Sequence, residues 1–452
     1  MNLLSKFAAA ICLFIALTFI ASAQTNSLVW HKNEGSVDAS LHNVALMPLL
    51  QSIAKQTGWH IFVEPGSART ASTKFQGLPT GDALKMLLGD LNFAFVPKSG
   101  APSELYVFRT TMKNATRQVV APAQAKHVPA ELLVKVKSGT DIKALAKILG
   151  AKVTGEMDKY GVYRLQFDSD SATDAALAQL QNNSDVQAVD YNYYFDPPPA
   201  PQGVSPGSPG ASSLSLQLNP PPSSGKVIVG LIDTDVQSLG PNLDQFVLKQ
   251  IDVTDGSSSD SSITHGTAMA YTILNAIASS TGGSTSVQIQ PVNVYSSGES
   301  TTSWDVALGV QAAVNAGATV LNMSLGSTGD SSVLDSVISQ AAGDGITMFG
   351  ATGNTPMDAP YYPAADPGVI PVTALGQPGQ LASYANSWPD SSMIALPGTA
   401  MVSYDGESWV VQGTSTSTAI SSGIYAGNLA AHGWSQQQIV NAMENKFPVP
   451  KQ

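Results

Sequence analysis

The sequence predicts an α/β protein: a C-terminal domain built on a parallel sheet with helices on both faces, preceded by two small α+β domains. Three observations carry this. Over residues 226–450, short apolar runs of strand length alternate with segments of helical apolar spacing, the pattern of successive βα units. Residues 127–195 read strand, helix, strand, strand, helix, strand, a ferredoxin-like order. Residues 26–110 carry an internal repeat at an offset of 34 residues. A chain of 452 residues is also too long for one ordinary domain.

The elements follow in order. Residues 1–23 read as an export signal: Lys6 is a positive start, Phe7 to Ile20 is almost wholly apolar, and Ala21-Ser22-Ala23 has the small residues of a cleavage site. The only cysteine, Cys12, lies inside that run, so the mature chain has no thiol and no disulfide framework. In the repeat, Leu50 matches Leu84, Ile53 matches Leu87, Trp59 matches Phe93 and Ile61 matches Phe95. Each copy predicts a helix with an apolar stripe and then a short strand. In the second domain Leu133 to Lys137 predicts a strand with one buried face, and Tyr163 to Phe167 another. Ile142–Leu149 and Ala175–Leu180 have helical spacing. Residues 196–225 are dense in Pro, Ser and Gly and predict an exposed linker open to cleavage. Beyond it, Val227–Ile232, Val287–Val294, Val320–Ser324, Ile346–Ala351 and Val369–Ala374 predict buried strands. Helices are predicted over His265–Ala278, Trp304–Ala316, Val333–Ala342, Ser415–Ala431 and Gln436–Asn445.

Charge narrows the classes of partner. The formal net charge is −11, and from Lys226 onward four Lys/Arg stand against seventeen Asp/Glu. Such a surface repels phosphate backbones, so no nucleic-acid partner is expected.

A parallel sheet presents functional groups at the carboxyl ends of its strands. Asp233 stands there, directly after Val227–Ile232. His265 opens a predicted buried helix, where a charged imidazole meets the wrong end of the helix dipole. A neutral imidazole is the form a general base needs. Ser415 follows Gly413 at a turn into a helix, where backbone N–H groups converge. Asn354 follows Gly353 just past a strand and can donate to a developing oxyanion. Taken singly, each has a plainer reading: a turn carboxylate, a packed histidine, a helix cap, a loop amide.

Together they are far more specific. Asp233-Thr234-Asp235, His265-Gly266-Thr267-Ala268-Met269-Ala270 and Gly413-Thr414-Ser415-Thr416-Ser417-Thr418-Ala419, in that order, resemble the subtilisin-like serine proteases. Asn322–Gly326, Gly350–Asn354 and Tyr361–Leu375 extend the resemblance over the whole third domain. It implies an exported serine endopeptidase with Asp233, His265 and Ser415 as its catalytic triad and Asn354 in the oxyanion hole. Ser324, Leu325 and Gly326 would bind the substrate backbone and wall the pocket for the acyl-side residue. The partner is then a protein or peptide substrate. Residues 127–195, with that ferredoxin-like order and a position just before the third domain, resemble the inhibitory pro-domain of that family, an intramolecular inhibitor in a zymogen. Residues 26–110 resemble the short N-terminal domain of secretins and TonB-dependent receptors, which implies an envelope protein partner and a secreted or periplasmic location in a Gram-negative cell.

Two departures from the family pattern stand out. Asp235 occupies a position usually held by glycine, and Ala419 one usually held by proline. They motivate an alternative, a catalytically weak or inactive subtilase-fold binding or scaffold protein of the envelope. The third domain is also short for the family, so calcium, the one cofactor the resemblance brings in, is left in question. No metal ligands are assigned.

Overall fold

The structure is a computed structural model, and it describes residues 27–31, 35–64, 67, 69–98, 102–115, 117–119, 125–204, 216–220, 227–254, 262–295, 300–355, 359–376, 379–388 and 392–450. The export segment expected at residues 1–23, with Cys12, lies outside them. The chain divides into two compact units, Met1–Val119 and Val120–Gln452. Among the described residues no helix is long and apolar enough to cross a membrane.

In the first unit, β1 (Ser27–His31), β2 (Ser36–Ala45), α1 (Leu46–Thr57), β3 (His60–Val63), β4 (Thr70–Pro79), α2 (Thr80–Leu88), β5 (Asn92–Val96), β6 (Glu104–Phe108) and β7 (Arg117–Val119) follow one another. Two sheets result, ordered β1-β2-β4 and β5-β6-β3-β7. The expected repeat is present as α1-β3 and α2-β5. Its helical halves are equivalent: Leu50, Ile53, Leu84 and Leu87 are all buried in one core. Its strand halves are not. Ile61 is fully buried on β3, inside its sheet, whereas Phe95 is 38% exposed on β5, an edge strand with a neighbour on one side only.

The second unit begins with β8 (His127–Val136), α3 (Ile142–Leu149), β9 (Lys152–Met157), β10 (Val162–Gln166), α4 (Asp170–Leu180) and β11 (Val186–Phe195). This is the expected ferredoxin-like order, with the strands arranged β11-β8-β10-β9 and all antiparallel. Its sheet is buried on both faces rather than one. Leu132 and Val134 pack with Ile142, Ala146 and Leu180 of its own helices. Leu133, Val162 and Phe195, pointing the opposite way by the two-residue period of a strand, join a core that includes Trp304, Val306, Val333 and Val337 further along the chain. The second face could not be foreseen because what covers it is more than a hundred residues away.

After β12 (Gln202–Gly203) come β13 (Ile228–Asp233), β14 (Ile251–Asp252), α5 (His265–Thr281), β15 (Gln288–Asn293), β16 (Thr301–Thr302), α6 (Ser303–Asn315), β17 (Val320–Met323), α7 (Ser332–Gly343), β18 (Thr347–Ala351), β19 (Val369–Leu375), β20 (Ile394–Pro397), β21 (Thr399–Tyr404), β22 (Glu407–Gln412), α8 (Thr414–His432) and α9 (Gln436–Lys446). Seven strands form the parallel sheet, in the order β14-β15-β13-β17-β18-β19-β20. Helices α5, α8 and α9 contribute to the core on one side, α6 and α7 to the core on the other. The chain leaves β13 for β15 on one side and then crosses to β17 on the other, so the strand order reverses at β13. That reversal is where an open α/β sheet leaves a crevice at its carboxyl edge.

Of the linker expected over 196–225, residues 196–204 and 216–220 are described. Gln202 and Gly203 pair antiparallel with Val410 and Trp409 of β22, and Leu218 is buried. Backbone bonding to the free edge of the β21–β22 hairpin, which the sequence did not announce, orders a stretch that has little apolar surface of its own.

One buried carboxylate sets a pH dependence. Asp366 is 4% exposed, and its Oδ2 has no hydrogen-bond partner among the described residues. Burial, with Asp335 and Asp330 adding to it, pushes its carboxyl up to about 8. A group held protonated in the folded state while the unfolded chain ionises weakens folding progressively from about pH 4 to about pH 8. Asp366→Asn is therefore expected to raise the melting temperature above pH 8 and to leave it unchanged near pH 4. A thermal-unfolding series across that range checks it.

Candidate active site

Asp233 closes β13 at the strand-order reversal, and its carboxylate is 1% exposed. Its Oδ1 accepts from the Thr234 backbone N–H at 2.7 Å and lies 2.8 Å from His265 Nδ1. A carboxylate accepts, so Nδ1 carries the proton and Nε2 is left as the basic nitrogen. His265 is the first residue of α5, capped by Thr264, whose hydroxyl takes the Thr267 N–H. Gly266 makes the approach feasible. A Cβ there would sit 2.2 Å from the Thr234 carbonyl oxygen, while the Gly266 N–H donates to Thr234 Oγ1 at 2.8 Å. Gly266→Ala is expected to push the helix start off Thr234 and lengthen the Asp233–His265 contact. The downfield imidazole proton signal of that bond, read by NMR, should be lost.

Ser415 is in the first turn of α8. Helices α5 and α8 pack side by side and parallel: Gly423 meets Ile273 and Ala276, and Gly427 meets Ile277 and Ser280. Ile273 and Gly423, Ile277 and Gly427, and His265 and Ser415 are each 150 residues apart in sequence. The same register therefore sets His265 and Ser415 level at adjacent helix starts. The glycines of α8 permit this close packing, because side chains at either position would strike α5.

The Ser415 hydroxyl does not bond His265. It donates to the Ser324 carbonyl at 3.0 Å, and the Ser324 hydroxyl returns a bond to the Ser415 carbonyl at 3.0 Å. The expected triad is thus joined at Asp233–His265 and open at His265–Ser415.

Asn354 lies beside Ser415 as expected. Its Oδ1 accepts from the Thr414 N–H at 2.8 Å and from the Thr414 hydroxyl at 3.1 Å. A backbone N–H only donates, which fixes the amide orientation and turns Nδ2 away. Neither Nδ2 nor the Ser415 backbone N–H has an acceptor among the described residues. Gly413, at φ +153, permits the approach: a Cβ there would be 2.9 Å from Asn354 Nδ2.

These groups face a cleft of about 230 Å³ lined by Ser324, Leu325, Gly326, Gly353, Asn354 and Ser415, together with Asp196-Pro197-Pro198-Pro199. All three residues expected to wall it are present. The end of β11 leads the chain in: Tyr194 and Phe195 pair with Thr302 and Thr301, Ser327 Oγ donates to the Tyr194 carbonyl at 2.8 Å, and the Tyr295 hydroxyl donates to the Asp196 carbonyl at 3.2 Å. Nearby, Asp190 accepts from the Ser332 N–H and hydroxyl at the start of α7, and Asn192 accepts from the Trp304 N–H at the start of α6. The end of β11 thus satisfies donors at the N-termini of α6 and α7.

Comparison with known proteins places the chain in a family. Residues 224–447 match the subtilase family, and residues 113–192 match the fervidolysin N-terminal prodomain. Thermitase of Thermoactinomyces vulgaris is 30% identical over 223 residues, covering 48% of this chain and 79% of that protein. The chain belongs to the subtilase family. Its relatives and its family are those of a serine-type endopeptidase. A thermostable alkaline protease of Halalkalibacterium halodurans is 37% identical to this subtilase over 166 residues, 36% of this chain and 46% of that protein, so the chain spans less than half of that relative. Fervidolysin of Fervidobacterium pennivorans, a keratinolytic enzyme related to subtilisin, shares the fold. Its structure aligns with a TM-score of 0.53 at 19% identity, over 71% of this chain and 56% of that one. The prodomain match begins ahead of residue 127, and the first unit lies almost wholly outside both matches.

The departures noted in the sequence are accommodated. The Asp235 carboxylate takes the Gln250 side-chain amide at 2.5 Å, and the same amide reaches Asp252 at 2.8 Å. Ala419 is fully buried within an unbroken α8. Among the described residues no group of three or more His, Cys, Asp or Glu side chains is placed to hold a metal ion, and no step below is routed through calcium. Three contributors escaped the sequence reading: Thr414, which orients Asn354; the Ser324 carbonyl, which holds the Ser415 hydroxyl; and Tyr361. Thr414 stands next to the serine motif and could have been found there. The other two depend on contacts between distant segments.

Proposed function

We propose that this subtilase is an exported endopeptidase, made as a zymogen, that hydrolyses peptide bonds through Asp233, His265 and Ser415. The 2.8 Å contact between Asp233 Oδ1 and His265 Nδ1, with Ser415 level on the neighbouring helix, is the observation that carries the reading. His265 Nε2 takes the Ser415 proton as Oγ attacks the scissile carbonyl, and returns it to the leaving amine. Asp233 stabilises the imidazolium. Asn354 Nδ2 and the Ser415 N–H receive the oxyanion, and water then releases the acyl group. A fluorophosphonate probe tests this. Labelling at Ser415 that disappears in His265→Ala supports it, and a protein that never labels sinks it.

Zymogen character is supported by Asp196–Pro199 lying in the cleft. Three successive prolines bring no N–H into the cleft they line, and the Ser324 carbonyl there takes the Ser415 hydroxyl. With the segment in the cleft, the Ser415 hydroxyl is bonded to Ser324 and not to His265. Purified protein is expected to shorten with time by cleavage within residues 196–225, and Ser415→Ala to stay full length. Equal shortening of both, followed by mass spectrometry, rejects self-processing.

The open His265–Ser415 contact favours a second reading, an inactive subtilase fold used as an envelope scaffold; the same probe separates the two. Export rests on residues 1–23. A contact role for residues 26–110 with an envelope protein rests on their secretin-like apolar spacing.

A further inference from the structure

We propose that Tyr361 closes the side-chain slot beside Ser415 and restricts this subtilase to substrates with a small residue, glycine, alanine or serine, on the acyl side of the scissile bond. The inference rests on the proposed endopeptidase and names its substrate class. The carbonyl under attack must lie between Ser415 Oγ and the two donors, Asn354 Nδ2 and the Ser415 N–H. The side chain of the residue that owns this carbonyl branches one bond away. It must therefore enter the part of the cleft bounded by Ser324–Gly326 on one segment and Ala351, Gly353 and Asn354 on the other.

Glycine at both Gly326 and Gly353 should leave room there for a large side chain. Tyr361 takes that room. A Cβ at Gly326 would lie 2.2 Å from its Cε1, and one at Gly353 would lie 2.9 Å from its Cδ1. The same edge of one ring thus meets both glycines and seals the slot between the two segments. At Gly326 the ring is the first atom group a side chain would meet; at Gly353 it stands beside Asn386 Nδ2, which a Cβ would meet at 2.5 Å.

The ring is held from behind. Ser327 and Tyr362 exchange both backbone hydrogen bonds at 2.8 Å, which ties the residue after Tyr361 to the strand segment that carries Gly326. Ala365 N–H donates to the Tyr361 carbonyl at 3.0 Å. The backbone that follows the ring is therefore fixed, and swinging the ring out would break packing against two glycines. The chain's own segment in the cleft fits the restriction, since Asp196 and three prolines place no aromatic or long aliphatic side chain there.

The test compares kcat/KM of the purified full-length protein, after whatever self-processing it undergoes, on peptides that differ only in the acyl-side residue. Alanine is expected to exceed phenylalanine and leucine by about 10²-fold, because a filled slot rejects several carbons at once. Tyr361→Ala should raise the phenylalanine substrate at least about tenfold relative to alanine, and Tyr361→Phe, which keeps the ring, should retain the parent preference. A parent enzyme that favours phenylalanine or leucine overturns the proposal without any variant. So does a folded Tyr361→Ala protein whose ratio is unmoved. If no peptide is cleaved and the fluorophosphonate never labels Ser415, the endopeptidase reading fails and this inference falls with it; labelling with cleavage but no size preference overturns this inference alone.

Discussion

Ser415→Ala is expected to lower turnover about 10⁶-fold, and His265→Ala about as much, with the double variant no worse than either single one. This is the magnitude known for subtilisin. The reason lies in how the groups depend on one another. Ser415 is a poor nucleophile unless a base removes its proton, and His265 Nε2 is a base only because Asp233 holds the proton on Nδ1 at 2.8 Å. Losing one member idles the others, so their effects do not add. A residual rate above water should survive in all three proteins, because Asn354 and the Ser415 N–H still polarise a bound carbonyl. The measurement is kcat on one peptide for the four proteins, with circular dichroism to show that each is folded. Additive losses would mean that the residues act separately.

Asn354→Leu is expected to cost about 10²–10³ in kcat with KM nearly unchanged, again a magnitude known for subtilisin. Nδ2 meets an oxygen that becomes negative only as the tetrahedral centre forms, so the bond strengthens in the transition state and contributes little to substrate binding. This site adds a complication. Asn354 Oδ1 also accepts from the Thr414 N–H and hydroxyl, so leucine leaves both donors without that acceptor in the first turn of α8. Asn354→Asp separates the two roles. It retains an acceptor for Thr414 and removes the donor from the oxyanion, so it should restore stability without restoring kcat. If the aspartate variant recovers turnover, the side chain acts by positioning α8 and not on the oxyanion.

Much of the site was legible in the sequence for local reasons. Asp233 ends an apolar run, His265 and Ser415 each open a helix, and Gly266, Gly353 and Gly413 mark close backbone approaches beside them. Apolar periodicity also gave the ferredoxin-like strand and helix order of β8–β11 and five strands of the parallel sheet. What it misjudged involved partners far away in the chain. Leu133 to Lys137 reads as a strand with one buried face because α6 and α7, which cover the other, lie beyond residue 300. Phe95 was equated with Ile61 because a repeat in sequence does not tell a central strand from an edge.

By itself, then, the sequence determined which residues stand at strand ends and helix starts, because those positions follow from apolar spacing and turn chemistry over a few residues. Tertiary structure alone decided that the Ser415 hydroxyl rests on Ser324, that Asp196–Pro199 lies in the cleft and that Tyr361 fills the slot between Gly326 and Gly353. Each of those includes a contact between segments dozens of residues or more apart. Such contacts are set by how packed elements cross, which no short window of sequence records.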